Sequence, residues 1–298
     1  MQTIPAKTIL TRNKSTAWFG CEYNMNLYRG CCHGCLYCDS RSACYQNPHF
    51  DTVRAKADAL RLLRNDLARK ARTGVVATGA MSDPYNPFEQ QEQLTRKALM
   101  LLDAYGFGVG IATKSDLITR DLDVLADIHA HSPVLCKFTV TTADDALAAK
   151  LEPHAPPPTA RLAALEKAAA VGLFCGVLLM PVLPGVEDSD ANILAVVRAA
   201  ANAGARFVYA SFGVTMRDGQ REYLLNGLDA AFPERGLAQK YRSRYGLRYY
   251  CGSPRARHLW QVFTAACAEY GLLTDMPDII RAYRAGRESN QLSLFDTL

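Results

Sequence analysis

Six short apolar runs, rich in β-branched residues, recur along the chain with stretches of helical period between them, and this alternation restricts the fold more than any other feature. The runs are residues 24–28, 75–78, 109–113, 138–141, 174–180 and 207–211. Between them, Ala57, Leu60, Leu63 and Leu67 share one helical face, as do Leu94, Ala98, Leu101 and Tyr105, while 161–171 and 191–203 read as Ala-rich helices. Gly106, Gly172 and Gly204 stand where three helices should end, because glycine takes the left-handed terminal conformation at no steric cost. Strands alternating with helices predict an α/β fold, a parallel sheet wrapped by helices, with its chemistry in the loops that follow the strands. After Phe212 the alternation stops, and the remainder reads as mainly helical.

A chain of 298 residues with 49% hydrophobic side chains can bury a full core. Its longest apolar run, 174–186, is broken by Pro181 and Pro184 and falls short of the roughly 20 residues that cross a bilayer. No membrane span is expected. The opening residues, MQTIPAKTILTRNK, lack the apolar core of a secretory signal, which predicts a cytoplasmic, reducing setting for the ten cysteines and makes disulfides the weaker reading. Cys21, Cys136, Cys175, Cys251 and Cys267 are scattered and read as small buried hydrophobes. The other five crowd into GCCHGCLYCDSRSAC.

Within that crowd, Cys31, Cys35 and Cys38 form a C-x3-C-x2-C array directly after the first apolar run. Three soft thiolates suit either zinc or an iron–sulfur cluster. A structural zinc would take a fourth protein ligand, for which His33, Cys32 and Cys44 are available. A cluster held by three cysteines keeps one iron open.

The array and its strand context resemble the signature of the radical S-adenosylmethionine (radical SAM) superfamily. More specifically, MNLYRGCCHGC, GAMSDPYNPFEQ, IATKSDLITRDLDVL, KFTVTTADDALAAKLEPHAPPPTARLAAL and VLLMPVLPGVED resemble the spore photoproduct lyase-like, or DNA repair photolyase-like, group over most of the chain. The resemblance implies a partial (β/α)6 TIM-like barrel with a mainly helical C-terminal extension. It also implies a 4Fe–4S cluster on Cys31, Cys35 and Cys38, whose open iron binds S-adenosylmethionine for reductive cleavage to a 5′-deoxyadenosyl radical. Tyr37 would pack beside the cluster, and Ser82, Lys114 and Thr139 would surround S-adenosylmethionine. Lys114 can offer an ammonium to the methionyl carboxylate, and the two hydroxyls can hydrogen-bond carboxylate or ribose. An electron donor such as flavodoxin or ferredoxin would be required. Asp83 and Tyr85 begin a turn ahead of Pro87 and read as architectural. Two positions depart from the group: Ala80 stands where spore photoproduct lyase has a hydrogen-donating cysteine, and Asp39 where it has a tyrosine. Spore photoproduct repair is therefore not assigned. Cys251 is the candidate alternative thiol.

The net charge of +5 is unevenly spread. Residues 232–260 hold seven Lys/Arg against one acid and 54–72 hold seven against two, so the rest of the chain is acidic. The later segment interleaves Tyr241, Tyr245, Tyr249 and Tyr250 with arginines that can neutralise phosphates while the rings stack on bases, which makes DNA or another nucleic acid an expected partner. The chain ends GRESNQLSLFDTL, and its QLSLF pentapeptide resembles the peptide with which bacterial repair proteins dock on the DNA sliding clamp. Gln291, Leu292, Leu294 and Phe295 would enter the clamp's pocket. The expected division is an N-terminal segment 1–20, a core 21–212, an extension 213–286 and a tail 287–298. The competing function class is a zinc- or cluster-stabilised nucleic-acid-binding module without catalysis, tethered to the clamp.

Overall fold

The computed structural model describes residues 1–286 of the protein. In chain order its strands are β1 (Thr3–Ile4), β2 (Leu10–Arg12), β3 (Tyr23–Met25), β4 (Tyr28–Arg29), β5 (Arg54–Lys56), β6 (Val75–Thr78), β7 (Gly108–Thr113), β8 (Val134–Thr139), β9 (Phe174–Leu179), β10 (Phe207–Ala210), β11 (Gly213–Thr215) and β12 (Tyr250–Gly252). The helices are α1 (Ala59–Ala68), α2 (Glu89–Glu92), α3 (Leu94–Ala104), α4 (Leu122–His131), α5 (Asp145–Leu151), α6 (Pro158–Ala170), α7 (Asp190–Asn202), α8 (Gln220–Ala231), α9 (Leu237–Tyr245), α10 (Ala256–Glu269) and α11 (Met276–Arg284).

Strands β3, β6, β7, β8, β9 and β10 pair in that order, all in parallel, and form the expected partial (β/α)6 barrel. Antiparallel β2 extends the sheet beyond β3, so part of the N-terminal segment belongs to the barrel wall, while β1 pairs with β5 in a separate sheet. Two boundaries differ from expectation. The first apolar run divides, because β3 joins the barrel whereas β4 turns away to pair with β5. The fourth strand begins at Val134 and ends at Thr139, since Leu135 and Cys136 already pair with β7 and β9. The extension is mainly helical, as expected, and its β11 and β12 form a two-stranded antiparallel sheet that places the 246–250 loop beside the barrel mouth.

Packing follows residue type. Strand positions pointing outward, among them Val76, Val109, Ile111, Cys136, Cys175, Val177 and Val208, meet buried helix residues such as Leu63, Ala98, Leu125, Leu165 and Val196. Inward positions Leu135, Phe174, Leu178 and Phe207 cluster with Phe19, Ile279 and Tyr283, so α11 and Phe19 close one end of the barrel. Gly176 is required there: a Cβ at that position would lie 2.3 Å from the Phe207 ring. Gly106, Gly172 and Gly204 all have positive φ, as their terminal positions demand. All ten cysteines are free thiols, and Cys21, Cys136, Cys175, Cys251 and Cys267 are buried, as the small-hydrophobe reading expects. Among the described residues no helix is long and apolar enough to cross a membrane. Gln291, Leu292, Leu294 and Phe295 lie outside the described residues.

Candidate functional site

The loop after β4 carries the cysteine array across the mouth of the barrel. Gly30 starts it with φ +87°, and any Cβ there would lie 2.4 Å from the Thr52 carbonyl oxygen, so the strand can turn into the loop only at glycine. The loop is fastened by backbone bonds from Cys31 N to Phe50 O at 2.8 Å and from Leu36 N to Leu151 O at 2.9 Å. Cys31, Cys35, Cys38 and Tyr37 then line one cavity of about 270 Å³ together with Ser82 and Lys114. Residues far apart in sequence thus share one wall.

The cavity is also lined by Met180 and Pro181 after β9, Ser211 after β10, and Gly213, Thr215 and Tyr250 of the two-stranded sheet. Ala80 and Asp39, the two departures from the spore photoproduct lyase pattern, also line the cavity. The loop after β6 reaches it through Gly79, whose φ is +96° and whose hypothetical Cβ would lie 1.8 Å from the Ala112 carbonyl oxygen.

Not every expected residue reaches the cavity with a free polar group. Ser82 lines it, but its hydroxyl donates to the Tyr28 carbonyl at 3.2 Å, leaving oxygen lone pairs for a ligand. Thr139 does not line the cavity: it is buried, and its carbonyl accepts from Arg161 Nη1 at 2.9 Å. Cys251 is fully buried with its Sγ 3.2 Å from Met216 Sδ, because alternation along β12 turns Tyr250 to the cavity and Cys251 to the core. Cys44 is exposed and lies beside Ser42 and Arg217.

Groups beyond the expected cofactor contacts organise the site, and Asp83 is architectural, as its turn position predicts. Asp83 accepts the Thr113 hydroxyl at 2.7 Å, the Lys114 amide at 2.7 Å and the Tyr85 amide at 2.9 Å, and stands 3.6 Å from His33 Nδ1. Glu152 accepts the Tyr37 hydroxyl and pairs with Arg161. At the rim, Arg217 Nε lies 3.0 Å from Asp39 Oδ1 and its Nη2 donates to the Tyr249 hydroxyl at 2.6 Å, binding the cysteine loop to the 246–250 loop. Asp83 is legible from its turn ahead of Pro87, whereas a lone E-P-H is the only local signal for Glu152.

Burial dominates the electrostatics. It pushes Cys31 up to about 12, and Cys35 and Cys38 also above the ordinary thiol value, with Lys114 opposing it at the latter two. Burial holds His33 below its usual value despite Asp83, and raises Glu152 against the pull of Arg161. Thiols in such a place ionise when a metal supplies the compensating charge. Three soft thiols lining one cavity suit an iron–sulfur cluster that takes one thiolate per iron.

The family model for the radical SAM superfamily matches residues 25–215. An uncharacterized protein of Mycobacterium tuberculosis is 34% identical over 246 residues, covering 80% of this chain and 72% of its own. An uncharacterized protein of Methanocaldococcus jannaschii is 29% identical over 174 residues, 57% of this chain and 64% of that protein. Among solved structures, spore photoproduct lyase complexed with dinucleoside spore photoproduct superposes with a TM-score of 0.65 at 16% identity, over 91% of this chain and 80% of the other. The radical S-adenosylmethionine methyltransferase TsrM from Kitasatospora setae, with cobalamin and a 4Fe–4S cluster bound, gives 0.57 at 11% identity, over 88% and 60%. At these identities the two structures establish likeness of fold.

Proposed function

The chain belongs to the radical SAM superfamily, and on that premise we propose that it carries out a radical reaction on DNA or another nucleic-acid-derived substrate. Its cofactors are a 4Fe–4S cluster and S-adenosylmethionine, which together supply hydrogen-atom abstraction when bound. Membership of an enzyme superfamily displaces the non-catalytic zinc module.

In this reading Cys31, Cys35 and Cys38 each hold one iron, and Tyr37 shields the cluster from water. Lys114 receives the carboxylate of S-adenosylmethionine, and Ser82 accepts a hydrogen bond through its remaining lone pairs. Thr139 does not meet S-adenosylmethionine in this reading, since its carbonyl holds Arg161 instead. An acidic flavodoxin- or ferredoxin-type protein donates the electron. A reducing, cytoplasmic setting, which keeps cysteines as thiols able to hold a cluster, is part of the same reading.

One observation carries the substrate reading: the cavity lined by the cysteines opens against Tyr250, beside a loop in which Leu247 is 91% exposed and Tyr249 54%. Arg244 and Arg248 flank that loop without an acidic partner among the described residues. Tyr241 and Tyr245 are not part of it. They are buried and meet edge to face, with hydroxyls donating to Pro184 O and Gly252 O, so the base-stacking role narrows to Tyr249 and Tyr250. A cationic, aromatic loop at a cavity mouth suits a strand whose base enters the cavity. DNA repair is the setting we infer, with the 287–298 tail docking on the sliding clamp; a titration of that peptide against the clamp tests the docking separately.

The deciding experiment is anaerobic reconstitution with iron and sulfide, then reduction with S-adenosylmethionine present. 5′-Deoxyadenosine is expected, and its yield should rise or its distribution change when damaged oligonucleotides are added. Formation that is indifferent to every nucleic acid tested would overturn the substrate reading.

A further inference from the structure

Glu152 and Arg161 form an ion pair under the cavity, each with its side chain 1% exposed. As a source of stability such a pair is poor, because desolvating two charges offsets their attraction, and apolar residues of similar volume often serve as well or better. Its contacts suggest a different use. Arg161 is locked to the backbone, with Nε donating to Pro156 O at 2.7 Å and Nη1 to Thr139 O at 2.9 Å, so its guanidinium has no freedom at the end of β8. Glu152 gives Oε2 to that guanidinium and turns Oε1 toward the site, where it accepts the Tyr37 hydroxyl and stands 4.0 Å from Lys114 Nζ. Lys114 Nζ lies 5.5 Å from the centroid of the Tyr37 ring. Backbone of the same segment grips the cysteine loop, Leu36 N to Leu151 O at 2.9 Å and His154 N to His33 O at 3.1 Å.

We propose that Glu152 and Arg161 are positioning residues for Lys114: the guanidinium fixes the carboxylate, and the carboxylate keeps the lysine ammonium on the cavity wall to receive the carboxylate of S-adenosylmethionine. The proposal rests on the reading of Lys114 given above. A lysine head is strongly hydrated and carried on a flexible four-carbon stem, and at 18% exposure this one can turn out to water. A fixed anion 4.0 Å away opposes that turn. The same separation is too long for a hydrogen-bonded pair, which leaves the ammonium free to transfer to an incoming carboxylate. Tyr37, joined to the same oxygen, ties this arrangement to the cysteine array.

The test uses the full chain loaded with its cluster and measures equilibrium affinity for S-adenosylmethionine, iron content, denaturant midpoint and the spectral change of the reduced cluster on S-adenosylmethionine addition. Lys114→Ala sets the scale and is expected to weaken binding about tenfold or more, as loss of a charged contact does. Glu152→Met/Arg161→Met replaces the ion pair with apolar volume and should keep the iron content of the wild type, with a lowered midpoint because the Tyr37 hydroxyl and the Pro156 and Thr139 carbonyls lose their partners. Its affinity should nevertheless fall several-fold, and the spectral change should need correspondingly more S-adenosylmethionine. Wild-type affinity in a stable double variant overturns the proposal, since the pair would then be structural only. If the double variant is unstable, Glu152→Asp decides: it keeps the charge but withdraws the oxygen from Lys114, so weakened binding with normal iron content supports the proposal and unchanged binding overturns it. An unchanged affinity in Lys114→Ala removes the reading of Lys114 and the proposal with it, a result distinct from failure of the double variant alone.

Discussion

Asp83 Oδ2 accepts the backbone N–H of Lys114 at 2.7 Å, so the loop after β6 and the end of β7 move as one piece. Because Oδ1 also holds the Thr113 hydroxyl and the Tyr85 amide, one buried carboxylate sets the place from which the lysine side chain enters the cavity. Replacing Asp83 by Ala leaves these donors without an acceptor. Hydrogen bonds to charged groups contribute about 1.5–3 kcal/mol each and are not additive, so a loss of about 3 kcal/mol is expected in denaturant unfolding, with Asp83→Asn losing less. A loss under about 1 kcal/mol in Asp83→Ala would show that water replaces the carboxylate.

Glu187 gives the protein a pH-dependent stability. It is fully buried in the loop after β9, its Oε2 accepts the Leu183 amide at 2.9 Å, and burial pushes its carboxyl up to about 8 from an ordinary 4.5. The folded state therefore holds a proton that the unfolded chain releases at lower pH. This contribution is fully present below about 4.5, declines as pH rises, and is lost by about 8. Denaturant midpoints across that range should fall with pH in the wild type beyond the trend of Glu187→Gln. Parallel profiles for the two proteins would refute the assignment.

Gly176 is held by shape alone. Alanine there would bring a methyl group to 2.3 Å from the Phe207 ring in the barrel interior, and overpacking of this kind costs about 1–3 kcal/mol. Thermal unfolding of Gly176→Ala should show the loss, and Gly176→Ala/Phe207→Leu should recover part of it. Equal stability of wild type and Gly176→Ala would mean that the strands part without strain.

Cys251 and the array cysteines should separate cleanly. Each of Cys31→Ala, Cys35→Ala and Cys38→Ala is expected to abolish cluster-dependent 5′-deoxyadenosine formation. Cys251→Ala should retain it together with any substrate turnover, losing only about 1 kcal/mol of packing, since its sulfur faces Met216 in the core. Substrate turnover lost in Cys251→Ala, with 5′-deoxyadenosine formation intact, would restore the thiol as a hydrogen donor.

The 246–250 loop should affect nucleic-acid binding and leave the fold alone. Arg248→Glu is expected to weaken binding to oligonucleotides and to lower the slope of log affinity against log salt by about 1, whereas Tyr250→Ala should cost about 1–3 kcal/mol with the slope unchanged. Fluorescence anisotropy over a salt series measures both. Wild-type binding in both variants would place the nucleic acid elsewhere.

Short-range pattern determined a good deal by itself. Apolar runs and helical faces specify six βα units because strand and helix periods are local, Gly106, Gly172 and Gly204 mark helix ends because their backbone conformation is local, and the C-x3-C-x2-C spacing puts three soft donors on one loop. The same locality explains the misreadings. Nothing near residues 24–28 reveals that Tyr28 and Arg29 leave the barrel to meet β5, and nothing near Tyr241 or Tyr245 reveals that their rings are buried, because pairing and burial depend on distant partners. Tertiary structure alone decided that Asp83 fastens Lys114, that Tyr250 faces the cavity while Cys251 faces the core, and that Glu152 and Arg161 connect Tyr37, Lys114 and the Thr139 carbonyl. Each of these joins residues tens of positions apart in a dry interior, where a polar group must find a partner or forfeit its hydration, and such partnerships leave no trace in local sequence.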